Sequence, residues 1–164
     1  MNPKIFTEYY QSPIGIIEIT GTNDKIKSIF FVDQINENAE SNQYLKKAGK
    51  QLEEYFAGQR KEFSLDFEFE GTDFQKRVWK HLLEIPFGET ISYFDIASAL
   101  NNRGSIRAVG TANGKNKLSI VVPCHRVIGS DGKLTGYAGG LWRKEWLLSH
   151  EFNHSEHKIQ MELF

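Results

Sequence analysis

The pattern of apolar residues changes near residue 70, and this change divides the chain into two differently built halves. Runs of β-branched and aromatic residues fill the first 32 positions, and turn formers at Ser12-Pro13 and at 21–24 separate them. After Gly71, apolar residues recur at helical spacing instead. We therefore predict two domains, at 1–70 and at 71–164.

The first domain is predicted to be a small antiparallel sheet with one helix. Its strands should form a three-stranded meander at 5–10, 14–20 and 26–32. Leu45, Leu52 and Phe56 predict an amphipathic helix over 41–57, and the alternation over 63–69 favours a further edge strand. The domain holds no nucleophile, base cluster or phosphate-binding loop, so we interpret it as a scaffold.

The second domain begins with helices that start at recognisable caps. Thr72 and Gln75 have the spacing of a capping box, and the helix they begin should continue to Pro86. Ser92 and Asp95 form a second capping box ahead of another apolar helical stripe. We therefore expect the start of this domain to be helical.

A short break separates the helix that follows Ser92 from the next one. The break lies at 101–104, and Ser105 can cap a third helix that runs to about Asn113, with Gly114 as its terminator. Two short helices joined by a tight glycine-containing turn form a helix-turn-helix. Beside one long cation, the third helix carries small residues: Arg107, Ala108, Gly110 and Ala112. Small side chains suit a nucleic-acid groove or close packing between helices, and the sequence leaves both possible.

Cys124 is the single cysteine of the chain. It follows an apolar run at 120–122 that we predict to be a strand, and it lies between Pro123 and His125. A lone cysteine is often a buried apolar residue, but the polar pair His125-Arg126 is unexpected in a purely apolar core. The pair therefore favours a reactive thiol. A single cysteine also excludes an internal disulfide and every zinc site built on cysteine pairs, and it fits a reducing compartment.

The last part of the chain combines a glycine-rich loop with a helix. The loop at 136–140 suits backbone amides that approach a ligand closely. It lacks a phosphate-loop lysine and precedes no βαβ crossover, so we expect no nucleotide cofactor. A helix is predicted over 141–150, and the polar tail over 151–164 is expected to be loosely ordered. His154 and His157 have no thiolate or second cluster to join them, so we predict no metal site.

The charges are unevenly distributed although the net charge is only −1. Residues 1–70 carry 8 Lys and Arg against 12 Asp and Glu, net −4, whereas residues 71–150 carry 11 against 6, net +5. A local basic face can hold nucleic-acid phosphates, but by charge alone an ordinary solvated surface explains the pattern better. With no apolar run long enough for a bilayer and no secretory leader pattern, we expect a cytoplasmic protein with no membrane partner.

Several segments together resemble the O6-alkylguanine-DNA alkyltransferases, also called the methylated-DNA–protein-cysteine S-methyltransferase family. The similarity extends in order and spacing over about 72–151, and a weaker similarity covers Ser12-Pro-Ile-Gly15. The segments that carry it are Pro123-Cys-His-Arg-Val127 with Asn116 before it, Arg107-Ala-Val-Gly110, Ile91-Ser-Tyr93 after Phe87-Gly88, and Tyr137-Ala-Gly-Gly-Leu141 before Lys144-Glu-Trp-Leu-Leu148 and Glu151. Because these motifs are in register, coincidence is a poor explanation.

The resemblance implies an α/β fold, with a small ribonuclease H-like sheet and helix followed by a mostly helical domain that contains the helix-turn-helix. It implies a DNA repair protein that binds double-stranded DNA through the minor groove and flips out an O6-alkylguanine. The alkyl group would move irreversibly to Cys124, once per molecule, in a monomer without a cofactor. Arg107 matches the family's arginine finger, and Ala108 and Gly110 would let the helix enter the groove.

The resemblance also implies roles for residues around the thiol. A thiol has an ordinary pKa of about 8.5, so a thiolate at neutral pH needs help. His125 matches a base that acts on Cys124 through a water, and Glu151 matches the carboxylate that orients it. Tyr93 matches the residue whose hydroxyl protonates or polarises the leaving guanine, and Asn116 matches the residue that organises the turn around the site.

The remaining matches are implied to bind the guanine. The backbone carbonyls of Cys124 and Val127 would contact its amino edge, and the amide of Ala138, next to Tyr137, would donate to O6. Ala138 stands where the family usually has serine, which keeps the amide and removes only a hydroxyl. Ser119 stands where some members carry proline, so the preferred size of the alkyl group is left open.

Three other functions remain open for this sequence. The first is a lesion-binding alkyltransferase-like protein without transfer activity, although such proteins typically carry tryptophan in place of the cysteine. The second is a Cys-His hydrolase that turns over. The third is a helix-turn-helix regulator in which Cys124 is only structural.

Overall fold

The computed structural model describes residues 2–163, apart from the side chain at 159, and these residues form two compact units. The first unit contains the chain up to Glu68 together with Lys117–Val121. The second contains Phe69–Asn116 and the chain from Val122 onward. We expected the segment Lys117–Val121 in the second domain, but it packs with the first unit. Within residues 2–163, no helix is both long and apolar enough to cross a membrane.

The first unit is a three-stranded antiparallel sheet with one helix, as the sequence predicts. Its strands are β1 (Phe6–Ser12), β2 (Gly15–Gly21) and β3 (Ile26–Val32), in the order β1-β2-β3. Ile17 and Ile19 of β2 are fully buried. The helix α1 (Gln43–Phe56) packs on the sheet through its apolar face, and the side chain of Asn42 caps it by accepting from the amide of Leu45 at 2.8 Å.

The predicted edge strand over 63–69 does not form. A single bridge, Ile26 with Phe67, is all that pairs it with the sheet. Side chains of α1 occupy the amides that a ladder would need, since Gln51 Oε1 accepts from the Ser64 amide at 2.9 Å and the Tyr44 hydroxyl accepts from the Asp66 amide. Tertiary hydrogen bonds therefore overrule the alternating pattern.

The predicted strand at 120–122 is also wrong. Lys117 and Ser119 exchange backbone hydrogen bonds with Ile29 of β3, at 2.8 and 3.1 Å, but Ile120 then has φ = 72°. The amide of Val121 bonds back to the Ser119 carbonyl at 2.8 Å, which closes a tight turn. Ile120 is apolar because it is buried, at 1% exposure, and not because the chain is extended there.

The second unit is mostly helical. Its helices are α2 (Asp73–Leu82), α3 (Tyr93–Ala99), α4 (Ile106–Gly114), α5 (Leu141–Asn153) and α6 (Glu156–Glu162). Two short parallel strands, β4 (Ile91–Ser92) and β5 (Val127–Ile128), pair beside them. Both predicted capping boxes are present, at Thr72 with Gln75 and at Ser92 with Asp95. The α/β fold and the helix-turn-helix formed by α3 and α4 are thus confirmed.

Three details of the second unit differ from expectation. Ser105 does not cap α4 through its side chain; it ends a 3-10 turn, Arg103–Ser105, and its hydroxyl donates to the Asn102 carbonyl at 2.6 Å. Gly114 is the last residue of α4 rather than its terminator. The tail expected to be loosely ordered is mostly helical over its described residues, since α5 continues to Asn153 and α6 follows it, and Phe164 lies outside the described residues.

Candidate active site

Cys124 lies at the start of a 3-10 turn, Cys124–Arg126, and is 6% exposed. Two buried asparagines fix the backbone around it. Asn116 Nδ2 donates to the Val122 carbonyl at 2.8 Å, and Asn113 Nδ2 donates to the Cys124 carbonyl at 3.2 Å. Because both asparagines lie in α4 or just after it, these bonds tie the backbone around the thiol to that helix.

The Cys124 thiol is protonated in its resting environment. Burial raises its pKa, and this effect outweighs a hydrogen bond from Asn116 and the charge of Lys144, which both favour the thiolate. The thiol therefore needs a base nearby before it can act as a nucleophile.

The two residues after Cys124, His125 and Arg126, are buried and bind the buried carboxylate of Glu151 in α5. His125 Nε2 and Glu151 Oε2 are 2.7 Å apart, and Arg126 Nε and Glu151 Oε1 are also 2.7 Å apart. Burial alone would raise the pKa of Glu151, but His125 and Arg126 hold it well below its usual range. Glu151 is thus an anion that can only accept hydrogen bonds.

The ionised Glu151 fixes the tautomer of His125. Because the carboxylate only accepts, Nε2 of the ring must donate to it, which leaves a lone pair on Nδ1. Nδ1 is buried and has no hydrogen-bond partner among the described residues. Burial lowers the pKa of His125, and Glu151 only partly offsets this. The ring is therefore neutral at neutral pH, with Nδ1 ready to accept a proton.

Tyr93 begins α3, and its hydroxyl is held by the loop before α5. The hydroxyl donates to the Thr135 carbonyl at 3.0 Å. Lys144 Nζ donates to the same carbonyl at 2.9 Å, to the Gly136 carbonyl at 3.3 Å and to the Tyr93 hydroxyl at 3.4 Å. Burial lowers the pKa of Lys144 to about 8, although Cys124 opposes this. Lys144 thus connects the tyrosine to the loop and places a positive charge near the thiol.

The glycine-rich loop at 136–140 lies at the surface of the second unit. Gly136 and Gly140 have φ of 52° and 94°, conformations that side chains rarely adopt. The amide of Gly140 donates to the Tyr137 carbonyl at 2.9 Å, which closes a turn around Ala138. Ala138 is exposed and Tyr137 is half-buried, so the turn lies at the surface.

Helix α4 presents one packed face and one exposed face. Arg107 and Ala108 are exposed, whereas Val109 is fully buried. Gly110 is turned towards Tyr93, since a Cβ at this position would lie 4.0 Å from the tyrosine ring. The small exposed face of α4 and the residue that begins α3 are therefore neighbours.

Within residues 2–163, no three or more His, Cys, Asp or Glu side chains are close enough together to hold a metal ion.

Comparison with known proteins identifies the family. The chain matches the family model for the DNA-binding domain of 6-O-methylguanine DNA methyltransferase over residues 73–153, and the model for the ribonuclease-like domain over residues 5–69. A methylated-DNA–protein-cysteine methyltransferase of Methanosarcina barkeri is 45% identical over 155 residues, which cover 91% of this chain and 98% of that protein. The chain belongs to the 6-O-methylguanine DNA methyltransferase family.

Other members of the family agree in sequence and in fold. A methylated-DNA–protein-cysteine methyltransferase of Mycolicibacterium paratuberculosis is 47% identical, over 88% of this chain and 90% of the relative. The crystal structure of Mycobacterium tuberculosis O6-methylguanine methyltransferase has a TM-score of 0.83 at 43% identity and covers 93% of this chain and 95% of its own. A complex of the Mycobacterium tuberculosis protein with DNA has a TM-score of 0.82 at 44% identity, over 92% and 94% of the two chains.

The structure brings together most of the residues that the family resemblance singles out. Cys124, His125, Asn116 and Glu151 form one buried group, and Val127 begins β5 opposite Ile91 of β4. Ser119 differs, because it belongs to the segment that packs with the first unit, where it is buried and its amide donates to the Ile29 carbonyl at 3.1 Å.

Three residues of the site were missed as participants by sequence reasoning. Asn113, Arg126 and Lys144 each make buried or half-buried hydrogen bonds within it. Arg126 did carry a signal, since it lies between His125 and an apolar pair, and a buried cation requires polar partners. Lys144 carried none, because Arg143 and Glu145 flank it as on an ordinary exposed helix. Asn113 carried none, because asparagine near a helix end is common for reasons of capping.

Proposed function

We propose that this protein repairs DNA by moving the alkyl group of an O6-alkylguanine irreversibly onto Cys124, once per molecule. The observation that carries the proposal is a His125 oriented by Glu151, whose Nδ1 has no hydrogen-bond partner among the described residues, at the position that follows the buried Cys124. The relatives matched over most of the chain are named methylated-DNA–protein-cysteine methyltransferases, and the Mycobacterium tuberculosis relative has been solved with DNA.

The first step is activation of the thiol. Consecutive side chains diverge in a 3-10 turn, so we propose that a water carries the proton from Cys124 Sγ to His125 Nδ1. The sulfur then attacks the alkyl carbon while the bond from that carbon to O6 breaks, and the electron pair leaves with the guanine. The thiol's proton is held by His125 while the guanine gains one from a donor, and exchange with solvent restores both groups, so the alkylated protein and the restored guanine in the DNA are both neutral products.

The leaving guanine needs a proton donor and a binding surface. The hydroxyl of Tyr93 is the donor in this proposal. If the hydroxyl turns towards the guanine, the Thr135 carbonyl still accepts a hydrogen bond, because Lys144 also donates to it at 2.9 Å. The carbonyls of Cys124 and Val127 would accept from the amino edge of the guanine, and the amide of Ala138, beside Tyr137, would donate to O6.

The remaining assigned positions hold or shape this pocket. Asn116 keeps the backbone before the thiol in place through its bond to the Val122 carbonyl. Ser119 matches a family position where some members carry proline, and a competition between methyl and benzyl substrates would test which size of alkyl group is preferred. Oxidised or metal-bound intermediates are not needed, and we propose no cofactor.

The substrate base must leave the DNA stack to reach a buried thiol. Base flipping costs a few kcal/mol, and the gap it leaves must be filled. We propose that Arg107 fills the gap and that the exposed face of α4, with Ala108 and Gly110, lies in the minor groove of double-stranded DNA. Binding would then depend on phosphates and groove shape more than on base sequence.

The reaction should not turn over. The product on Cys124 is a dialkyl thioether, which offers water no leaving group, so each molecule acts once. We propose that the protein acts as a monomer, and its single unpaired cysteine suits the reducing conditions of the cytoplasm.

The test is intact-mass measurement after incubation with duplex DNA that contains O6-methylguanine. We expect one added methyl per protein, located on Cys124 by peptide mapping, and restored guanine in the DNA. The Cys124→Ser variant should bind the same duplex without modification, and undamaged duplex should modify neither protein.

Each competing function gives a different result in this experiment. Repeated turnover without a modified thiol would indicate a hydrolase. Lesion-selective binding by the unmodified wild type, with the lesion intact, would indicate a non-transferring protein. Binding that ignores the lesion would indicate a regulator. Any of these three outcomes would contradict the proposal.

A further inference from the structure

Arg126 is bound to both carboxylate oxygens of Glu151, one of which it shares with His125. Its Nε donates to Oε1 at 2.7 Å and its Nη2 donates to Oε2 at 3.0 Å, which is a bidentate pair. The third nitrogen, Nη1, donates to the Ile85 carbonyl at 2.7 Å. Arg126 is only 6% exposed, so all of its guanidinium nitrogens are used in a fixed, buried position.

Arg126 and His125 both donate to one carboxylate oxygen of Glu151. Glu151 Oε2 accepts from His125 Nε2 at 2.7 Å and from Arg126 Nη2 at 3.0 Å. The single negative charge of Glu151 is therefore already neutralised by a guanidinium that cannot lose its proton. A protonated His125 would place a second positive charge against the same carboxylate.

Without Arg126, the balance would change in a predictable direction. A buried carboxylate paired with histidine alone favours the charged imidazolium, because opposite charges at this distance stabilise each other strongly. A charged ring donates from both nitrogens, so Nδ1 could no longer accept a proton from the thiol.

We propose that Arg126 keeps His125 neutral by neutralising Glu151, and that it thereby sets the lower pH limit of alkyl transfer. The proposal rests on the function proposed above and deepens it. Arg126 does not touch the reacting atoms, so it is a positioning residue that acts through Glu151 and His125.

The other charged groups near His125 do not provide the same effect. Lys144 and Glu151 face it from α5, and the Cys124 thiol precedes it in the turn. Burial lowers the pKa of His125 most, Glu151 raises it, and Arg126 and then Lys144 lower it. Lys144 bonds to carbonyls and to a tyrosine hydroxyl, so Arg126 is the cation that shares the carboxylate with His125.

The experiment measures the rate of transfer from free O6-benzylguanine between about pH 5 and 9, where histidine titrates. Arg126→Gln removes the charge, and Arg126→Lys keeps it. We expect the midpoint of the acidic limb to rise by about 1 pH unit or more in Arg126→Gln, and to stay near the wild-type value in Arg126→Lys even where the rate falls.

A matched control removes a different arginine–carboxylate pair. Arg60 Nη2 lies 3.5 Å from Glu54 Oε2 in the first unit, and Arg60→Gln should leave the pH profile unchanged. If Arg126→Gln lowers the rate equally at every pH, its role is only structural and the proposal is wrong. An upward shift in Arg126→Lys as large as in Arg126→Gln would also contradict it.

A second measurement does not depend on the stability of the variants or on transfer. Nuclear magnetic resonance titration of His125 in the wild-type protein should show a neutral ring with its hydrogen on Nε2. The ring should remain neutral as the pH falls well below the usual histidine pKa of about 6.5. A His125 that is charged at neutral pH would overturn the role of Arg126. Failure of the wild type to transfer an alkyl group would instead overturn the proposed function, and the titration would still test the role of Arg126.

Discussion

At the scale of single residues, the unusual property of Cys124 is that its pKa is raised. Many reactive cysteines are stored as thiolates, which also makes them targets for oxidation. Burial keeps the Cys124 thiol protonated and nearly inaccessible. In the proposed mechanism the thiol becomes nucleophilic only when His125 removes its proton, which is an advantage for an acceptor that can be used only once.

Glu151 should make the stability of the fold depend on acidic pH. Its folded-state pKa is held well below its usual range, whereas the unfolded value is about 4.3. A depressed folded pKa contributes stability that is complete above the unfolded pKa and is lost as the pH falls below it. The free energy of unfolding, measured with urea, should therefore fall more steeply from about pH 5 to 3 in the wild type than in Glu151→Gln.

The matched control for Glu151 is Glu54→Gln, which removes a carboxylate whose side chain is 28% exposed in its pair with Arg60. Exposed or half-exposed pairs contribute little, so this variant should keep the wild-type slope. Equal slopes in the wild type and in Glu151→Gln would show that Glu151 does not carry the acid sensitivity. We expect Glu151→Gln to be less stable at neutral pH, because Arg126 would lose its counterion.

The reactive residues could be found from the sequence only in part. A lone cysteine followed by His125-Arg126 is a local signal, and Tyr93, Asn116 and Glu151 came from motifs in register. The sequence did not show that Arg126 and His125 share one carboxylate, since this depends on where α5 places Glu151. Such sharing is a tertiary property that no spacing rule encodes.

At the scale of elements, α4 resolves an ambiguity that its composition left open. Small residues suit either a groove or close helix packing, and α4 packs one of them while it leaves another exposed. Ala112 is 2% exposed, and its carbonyl accepts from Trp79 Nε1 of α2 at 2.8 Å, so it allows close packing. Ala108 is exposed beside Arg107, so it remains available for a groove.

Arg107→Ala should separate base flipping from alkyl transfer. Unstacking costs a few kcal/mol, so loss of the residue that fills the gap should slow repair of duplex O6-methylguanine by roughly tenfold or more. Transfer from free O6-benzylguanine needs no flipping and should be nearly unchanged. Single-turnover rates on the two substrates provide the measurement.

The control for Arg107 is another exposed cation close to α4. Arg103 lies in the 3-10 turn before the helix, and Arg103→Ala can remove only a phosphate contact. It should weaken binding to damaged and undamaged duplexes alike, and the loss should shrink as salt rises. Equal losses on duplex and free base for Arg107→Ala would show that Arg107 does not fill the gap.

Elements bounded by capping boxes or turn formers were predicted well, whereas the strands inferred at 63–69 and 120–122 from the apolar pattern alone were not. Thr72 and Ser92 cap α2 and α3 through local hydrogen bonds, which sequence spacing encodes directly. The run at 120–122 is apolar because it is buried, yet Ile120 has positive φ. An apolar run reports burial, and the backbone conformation within it is decided by tertiary contacts.

At the scale of the whole molecule, the chain does not complete the first unit before it begins the second. The chain leaves the second unit after Asn116, contributes Lys117–Val121 to the first, and returns at Val122, two residues before the thiol. A simple division near residue 70 therefore does not yield two independent pieces. The segment before Cys124 takes its backbone partners from β3, through Ile29.

This chain order predicts that the second unit cannot be isolated intact. In a fragment of residues 69–164, Lys117 and Ser119 would lose their bonds to Ile29, and Leu118 and Ile120, now 3% and 1% exposed, would lose their core. Each buried side chain of this size contributes about 1.5–3 kcal/mol. Such losses are a large part of a typical stability of about 5–15 kcal/mol.

We therefore expect the fragment to unfold at a lower temperature than the full chain and to transfer alkyl groups much more slowly, because the segment that leads to Cys124 would no longer be held. Thermal unfolding followed by circular dichroism and intact-mass measurement of transfer check the two parts.

Replacing Leu118 and Ile120 by Ser in the fragment serves as the matched control. If the segment is already detached, these changes should lower its unfolding temperature little, whereas in the full chain they should lower it strongly. A fragment as stable and as active as the full chain would show that the first unit does not support the site.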